Sequence, residues 1–226
     1  MSALLSPAPR RETLGANILF QIKELLLTGQ LMPGEQLSLR STAEALGVSV
    51  MPVREAVYQL VADQALEVAP NRSVRVPRIS AAQLKEITQI RLQIEGYAIE
   101  QAAQHATPAL IDTLSTLNAR LAREMDAPDP DKSTLVLINK ELHFAVYEAA
   151  QMPMLTKIIE SLWLRIGPVL NYDLRSGSER TKSKTVIAHH EKMIACLEQG
   201  DGPRARQALH ADIESAFNHI LSQQFS

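Results

Sequence analysis

Residues 43–57, AEALGVSVMPVREAV, hold two short helical runs on either side of Gly47, and the second run sets Met51 and Arg54 opposite its apolar residues. An arginine and a flexible apolar side chain on the leading turn of an exposed helix suit one chemistry: contact with base edges in the major groove of DNA. The elements around them fit that use. Ser41 and Glu44 have the S-x-x-E spacing of a capping box that starts the first helix, and Gly47 suits the left-handed turn that ends it. Ser49 caps the second helix, whose first turn tolerates Pro52 because the missing N–H would have no intrahelical partner there. Val53, Ala56, Val57 and Leu60 recur at helical spacing and face a core, which leaves Val50, Met51, Arg54 and Tyr58 outside.

Flanking segments complete a winged helix-turn-helix. Residues 66–69 and 73–76 read as short strands joined by a turn at Pro70, Asn71 and Arg72, with Arg72 at the tip, Arg75 beyond it, and Val74 and Val76 turned inward. Upstream, Thr13 caps an amphipathic helix carrying Leu14, Ile18, Ile22, Leu25 and Leu26, and Pro33 with Gly34 turns the chain. Bulk charge does not distinguish this region, since residues 1–78 hold eight Lys or Arg against seven Asp or Glu. Distribution does: Arg40, Arg54, Arg72, Arg75 and Arg78 fall on the segments that would meet DNA, and phosphate contacts from them would make binding steeply salt-dependent. The competing reading is an ordinary helix pair whose Arg54 is solvated or paired with Glu55 or Glu35.

The chain has 226 residues, 46% of them hydrophobic, and a formal net charge of −2. That length accommodates a small DNA-binding domain and a second domain with its own core. The absence of a long apolar run or a secretion signal predicts a cytoplasmic protein with no membrane partner. Cys196 is the single cysteine, so no internal disulfide forms. The expected organisation is a flexible arm over 1–12, a winged domain over 13–78 and an all-helical domain over 79–226. In the last of these, helices start at Ser80 and Thr107, a loop follows at 127–131, and further helices cover about 133–150, from Pro153 past Trp163 with a kink at Gly167 and Pro168, 179–199, and from Pro203 onward.

The stretch LTGQLMPGEQLSLRSTAEALGVSVMPVREAVYQLVADQALEV resembles the DNA-binding signature of GntR-type bacterial transcription regulators. By that resemblance Arg40, Ser49, Val50, Met51, Arg54, Asn71, Arg72 and Ser73 occupy DNA-contacting positions. Two residues depart from the pattern. Val50 stands where many members carry a guanine-reading arginine, and Asn71 replaces a frequent wing glycine. Loss of one bidentate arginine removes about 1–3 kcal/mol of discrimination at a base pair, so the operator sequence is not to be borrowed from better-known members.

Downstream, IRLQIEGYAIEQAA and HHEKMIACLEQGDGPRARQAL resemble the FadR-type, or FCD, ligand-binding domain, and ALEVAPNRSVRVPRIS with ESLWLRIGPVLNY is similar to the McbR (YncC)-like branch. The implied fold is mainly α: an N-terminal winged helix-turn-helix followed by an FCD-type helical bundle. Many FCD domains bind a divalent metal, and the corresponding residues here are Asn139, His143, His190 and Asp212, with an amide and a carboxylate replacing two of the usual ligands. Two imidazoles and a carboxylate suit zinc or another first-row metal. The same four residues also suit a metal-free hydrogen-bonded network in which an imidazolium beside Asp212 pairs with an acidic effector. His189 and His210 are the neighbouring alternatives. Arg91 occupies a position that in FCD relatives meets a ligand carboxylate, and its R-x-x-x-E spacing fits an ion pair with Glu95 equally well. Effector-binding residues are thus Arg91, Asn139, His143 and His190, with Trp163, Arg165 and Tyr172 lining the same cavity or simply the core.

The resemblance implies a homodimer on a near-palindromic operator, its two winged domains moved by a small organic acid bound in the helical domains. It implies repression by blocking polymerase, while the residues leave activation open. A metal-dependent hydrolase or lyase using His143, His190 and Asp212 is the rival from another class. No nucleophile motif, phosphate loop or paired-carboxylate constellation accompanies those residues, so a non-enzymatic regulator is expected. A pure sensor that binds partners through its N-terminal domain is the third reading.

Overall fold

The computed structural model describes residues 14–175 and 184–224. The arm at 1–12, the Thr13 cap, the helix start near Glu179 and the side chain of Tyr172 lie outside the described residues. The N-terminal unit consists of α1 (Leu14–Leu27), β1 (Gln36–Leu37), α2 (Leu39–Leu46), α3 (Val50–Ala62), β2 (Glu67–Val68) and β3 (Val74–Arg75). The strands form one antiparallel sheet in the order β1-β3-β2, with Glu67 opposite Arg75 and Leu37 opposite Val74. β1 was not foreseen: its two residues carry no strand signal of their own, and the pairing with β3 creates it.

Helix α2 begins three residues earlier than the Ser41–Glu44 spacing predicts. Ser38 is the N-cap and its side chain accepts from the Ser41 N–H, so Leu39 opens the helix and Arg40 and Ser41 lie inside the first turn. The chain leaves β1 extended at Leu37, and Ser38 is the first residue able to cap. Gly47 ends the helix at φ 65°, the left-handed conformation expected of it. Ser49 takes the extended N-cap conformation ahead of α3 without a side-chain cap bond, and Pro52 sits in the first turn. Ile18, Ile22 and Leu26 of α1 pack with Val53, Val57 and Leu60 of α3 in one buried cluster, whereas Leu14 is exposed. Each such burial is worth about 1.5–3 kcal/mol, enough together to fix the rotation of α3 about its axis.

The C-terminal unit is helical throughout the described residues: α4 (Ala81–Gln104), α5 (Pro108–Met125), α6 (Lys132–Ala149), α7 (Pro153–Arg175), α8 (Thr185–Glu198) and α9 (Gly202–Gln224). Local signals set the starts. Ser80 and Gln83 form a reciprocal capping box on α4, and Thr107 accepts from the Leu110 N–H ahead of Pro108 in the first turn of α5. Helix α7 runs through Pro168 as one element. Gly167 lets it lie against α1, since a Cβ there would stand 3.1 Å from the Leu26 carbonyl oxygen. Lys140 of α6 bonds Glu24 of α1 at 2.6 Å, and Lys23 bonds Glu160 of α7 at 3.1 Å, so α1 ties the two units together. No helix among the described residues is long and apolar enough to cross a membrane.

Candidate nucleic-acid interface and buried His–His–Asp centre

The buried stripe of α3 (Val53, Ala56, Val57, Leu60) turns the opposite face to solvent, where Met51 and Tyr58 are 56% and 55% exposed. Arg54 is exposed beside them and, among the described residues, makes no ion pair with Glu55, Glu35 or any other acid. Arg40 and Ser49 are exposed, and Val50 is half-buried. At the wing tip, the Asn71 side-chain carbonyl accepts from both the N–H and the hydroxyl of Ser73, a local Asx arrangement that shapes the turn. The left-handed residue is Arg72 at φ 64°, not Asn71. Arg72 is thus an exposed non-glycine residue held at a strained position at the wing tip. Two further arginines on these segments have defined neighbours: Arg75 bonds its cross-strand neighbour Glu67 at 2.6 Å, and the exposed Arg78 lies over Gly34.

In the helical unit, α6, α8 and α9 bring His143, His190 and Asp212 together, all buried, with ligand atoms within 4.8 Å of one another. The surrounding hydrogen bonds fix which imidazole nitrogen faces the centre. Asn118 of α5 donates its amide N–H to the Ile187 carbonyl, so its oxygen accepts the Nδ1–H of His190 at 3.1 Å. Tyr147 donates its hydroxyl proton to Glu95, so its oxygen accepts the Nδ1–H of His143 at 3.2 Å. Both imidazoles therefore turn Nε2 toward the centre, the nitrogen through which each would ligate a metal. His143 Nε2 stands 3.4 Å from Asp212 Oδ2. A neutral nitrogen lone pair facing a carboxylate oxygen is repulsive until a cation lies between them, either a proton on Nε2 or a metal ion. The separation accommodates either, because ligands bonded to tetrahedral zinc lie about 3.3–3.6 Å apart. Asn139 precedes His143 by one turn of α6 and is half-buried.

A second buried group adjoins this centre. Arg91 and Glu95, 3% and 0% exposed, form a two-pronged pair with Nε to Oε1 at 2.6 Å and Nη2 to Oε2 at 3.1 Å. Trp163 donates its indole N–H to Glu95 Oε1 at 3.1 Å, and Tyr147 donates to Oε2, so Glu95 accepts four hydrogen bonds and makes none as a donor. That is the pattern of an ionised carboxylate. Burial works against the Arg91 cation, but the Glu95 charge and hydrogen bond outweigh it, and the guanidinium pKa ends above its ordinary value. Burial, then Glu95, pushes the Tyr147 hydroxyl well above its usual range, which keeps it a donor. The Arg91 guanidinium also lies 5.1 Å from the centre of the Trp163 ring.

The structure thus brings His143, His190 and Asp212 together and engages Arg91 with Glu95. His210 points elsewhere, to the Leu92 carbonyl at 2.7 Å. Arg165 reaches Gln64 in the winged unit and lies outside the cluster. Asn118, Glu95 as an acceptor hub, and Tyr147 were not singled out from sequence as site residues. Tyr147 had a signal, its i,i+4 spacing from His143, which places both on one helix face.

Comparison with known proteins gives a consistent picture. The model of the gntR family of bacterial regulatory proteins matches residues 14–76, and that of the FCD domain matches residues 86–215. The chain is 34% identical over 205 residues to the HTH-type transcriptional regulator McbR of Escherichia coli K12, covering 91% of each. It is 23% identical to the gluconate operon transcriptional repressor of Bacillus subtilis, covering 98% of this chain and 93% of that one. Among solved structures, E. coli McbR/YncC superposes with a TM-score of 0.87 at 31% identity, covering 96% of this chain and all of the other. A Rhodococcus GntR protein shares the fold, with a TM-score of 0.73 at 20% identity over 92% and 98% of the two chains.

Proposed function

The chain belongs to the GntR family of bacterial transcription regulators and carries an FCD domain, and from that premise we propose that it represses transcription by reading a near-palindromic operator as a homodimer under the control of a small organic acid. The hydrolase or lyase reading has no support, since both matched families are regulatory. The observation that carries the proposal is the exposed Arg54, without an ion pair among the described residues, on the first turns of an α3 locked in rotation by Val53, Val57 and Leu60. On this reading Met51, Arg54 and the half-buried Val50 meet base edges. Arg40, Ser49, Arg72 and Ser73 meet phosphates, and Asn71 holds the wing in shape.

In the helical domain, His143, His190 and Asp212 would hold a divalent cation, with Asn139 as an additional ligand. Such an ion, when bound, supplies an open coordination position to an acidic effector. Two findings support this: both histidines present Nε2, and the 3.4 Å gap between nitrogen and carboxylate calls for a cation. Arg91 would take part once the effector carboxylate competes with Glu95 for it. An effector shifts DNA binding only through different affinity for the two domain arrangements. Sequencing the genomic DNA that co-purifies with the native chain tests the central reading. An enriched inverted repeat is expected, and a flat distribution of fragments would refute it.

A further inference from the structure

A cavity of about 410 Å³ lies between the winged and helical units, within the range of small-molecule sites. The end of α3, strand β2, the connection at 77–79, and helices α4 and α7 all contribute to it. None of its lining residues belongs to the buried His–His–Asp cluster or to the Arg91–Glu95 pair. Its apolar wall includes the buried Leu66, Ile87 and Leu162. Arg78 and Arg165 supply cations, against Glu67 and Glu86. Glu67 is already matched by Arg75 at 2.6 Å. Among the described residues neither Arg78 nor Arg165 has an acidic partner. Arg165 is held by the side chain of Gln64, a non-glycine residue at φ 58° just beyond α3, and a guanidinium with one N–H committed to a neutral amide keeps others to donate. Two arginines lining the cavity with one carboxylate, Glu86, that makes no ion pair among the described residues, beside an apolar wall, select an anion with an apolar body.

We propose that this interdomain cavity is a second ligand site, distinct from the buried centre, for a small aromatic or branched monocarboxylate or sulfonate whose anionic group meets Arg78 and Arg165. The bound molecule touches both units, so it favours one angle between them. The site is independent of whether α3 reads DNA.

The test uses the full chain and the probe 8-anilinonaphthalene-1-sulfonate, an apolar body with one anionic group. Fluorescence titration is expected to show saturable binding of one probe per chain. Val68→Trp, which fills the mouth from a position 47% exposed, and Arg165→Glu are each expected to weaken it at least tenfold with unchanged far-ultraviolet circular dichroism. If Arg165→Glu does not fold, Arg78→Gln at an exposed side chain replaces it, with at least threefold weakening expected. Naphthalene-2-carboxylate is expected to displace the probe at least tenfold better than its neutral carboxamide. Absence of saturable binding, equal competition by acid and amide, or indifference to the cavity variants would overturn the proposal. Loss in His190→Ala with retention in Arg165→Glu would move the ligand to the buried centre and would also overturn it.

Discussion

Removing the charge of Glu95 isolates what the buried pair contributes. In Glu95→Gln the side chain keeps its shape, but the four donors around it were arranged for a carboxylate: Arg91 Nε and Trp163 Nε1 on Oε1, Arg91 Nη2 and Tyr147 on Oε2. Whichever way the amide turns, its NH2 faces two donors, and the Arg91 guanidinium is left buried at 3% exposure without a counter-charge. Breaking one side of a buried ion pair costs about 3–5 kcal/mol. At about 2–4 °C per kcal/mol for a chain of this size, the thermal midpoint should fall by about 6–20 °C. The double variant Arg91→Met with Glu95→Leu removes both charges and fills similar volume, and a well-packed apolar pair is commonly neutral or better than the ion pair it replaces. It should therefore melt well above the single variant. Circular dichroism melts of native, single and double variants at neutral pH measure both differences. A single variant within about 3 °C of native, or a double variant as unstable as the single one, would refute the buried-charge argument.

The wing and the centre give further expectations. Arg72→Gly relieves a left-handed arginine at some cost in unfolded-chain entropy, so urea denaturation should find stability within about 1 kcal/mol of native, while fluorescence anisotropy shows weaker DNA binding. Gly47→Ala, at φ 65° with open space around it, should lose about 1–2 kcal/mol purely from backbone strain, read in the same denaturation assay. Calorimetric titration of metal-stripped protein with zinc should give one ion per chain, and Asp212→Asn should weaken it at least tenfold; a native chain that takes up no zinc would refute the metal assignment. Salt titration of DNA binding should give a steep log–log slope, shallower in Arg40→Ala by about one if that residue meets a phosphate.

Much of this architecture is readable locally. Gly47, Ser80, Thr107 and Pro108 punctuate helices through interactions spanning three or four residues, and the structure uses each in its expected place. Ser41 shows the limit of the same logic, because an S-x-x-E pattern does not reveal that Ser38 caps first. The centre divides along the same line. His143, His190 and Asp212 are legible through the resemblance, but the partners of the two imidazoles, Tyr147 and Asn118, come from α6 and α5, and sequence spacing says nothing about which nitrogen each imidazole presents. Glu95 carried one overlooked sign: it shares α4 with the buried Leu92, Ala98, Ile99 and Ala102, and a carboxylate so buried needs a partner on another element as well as Arg91. The placements of Arg75 opposite Glu67 and of Arg78 over Gly34 are not legible locally, because a register pairing and a glycine turn, both non-local, decide them.

The central claim is that the leading turns of α3 inspect bases through Arg54. The most direct measurement compares the DNA fragments selected from a random pool by native protein and by a folded Arg54→Ala variant. One inverted repeat enriched by the native chain is expected, with information lost at one position in each half-site and affinity reduced by about 1–3 kcal/mol in the variant. Identical enriched sequences and equal affinities for the two proteins would contradict it.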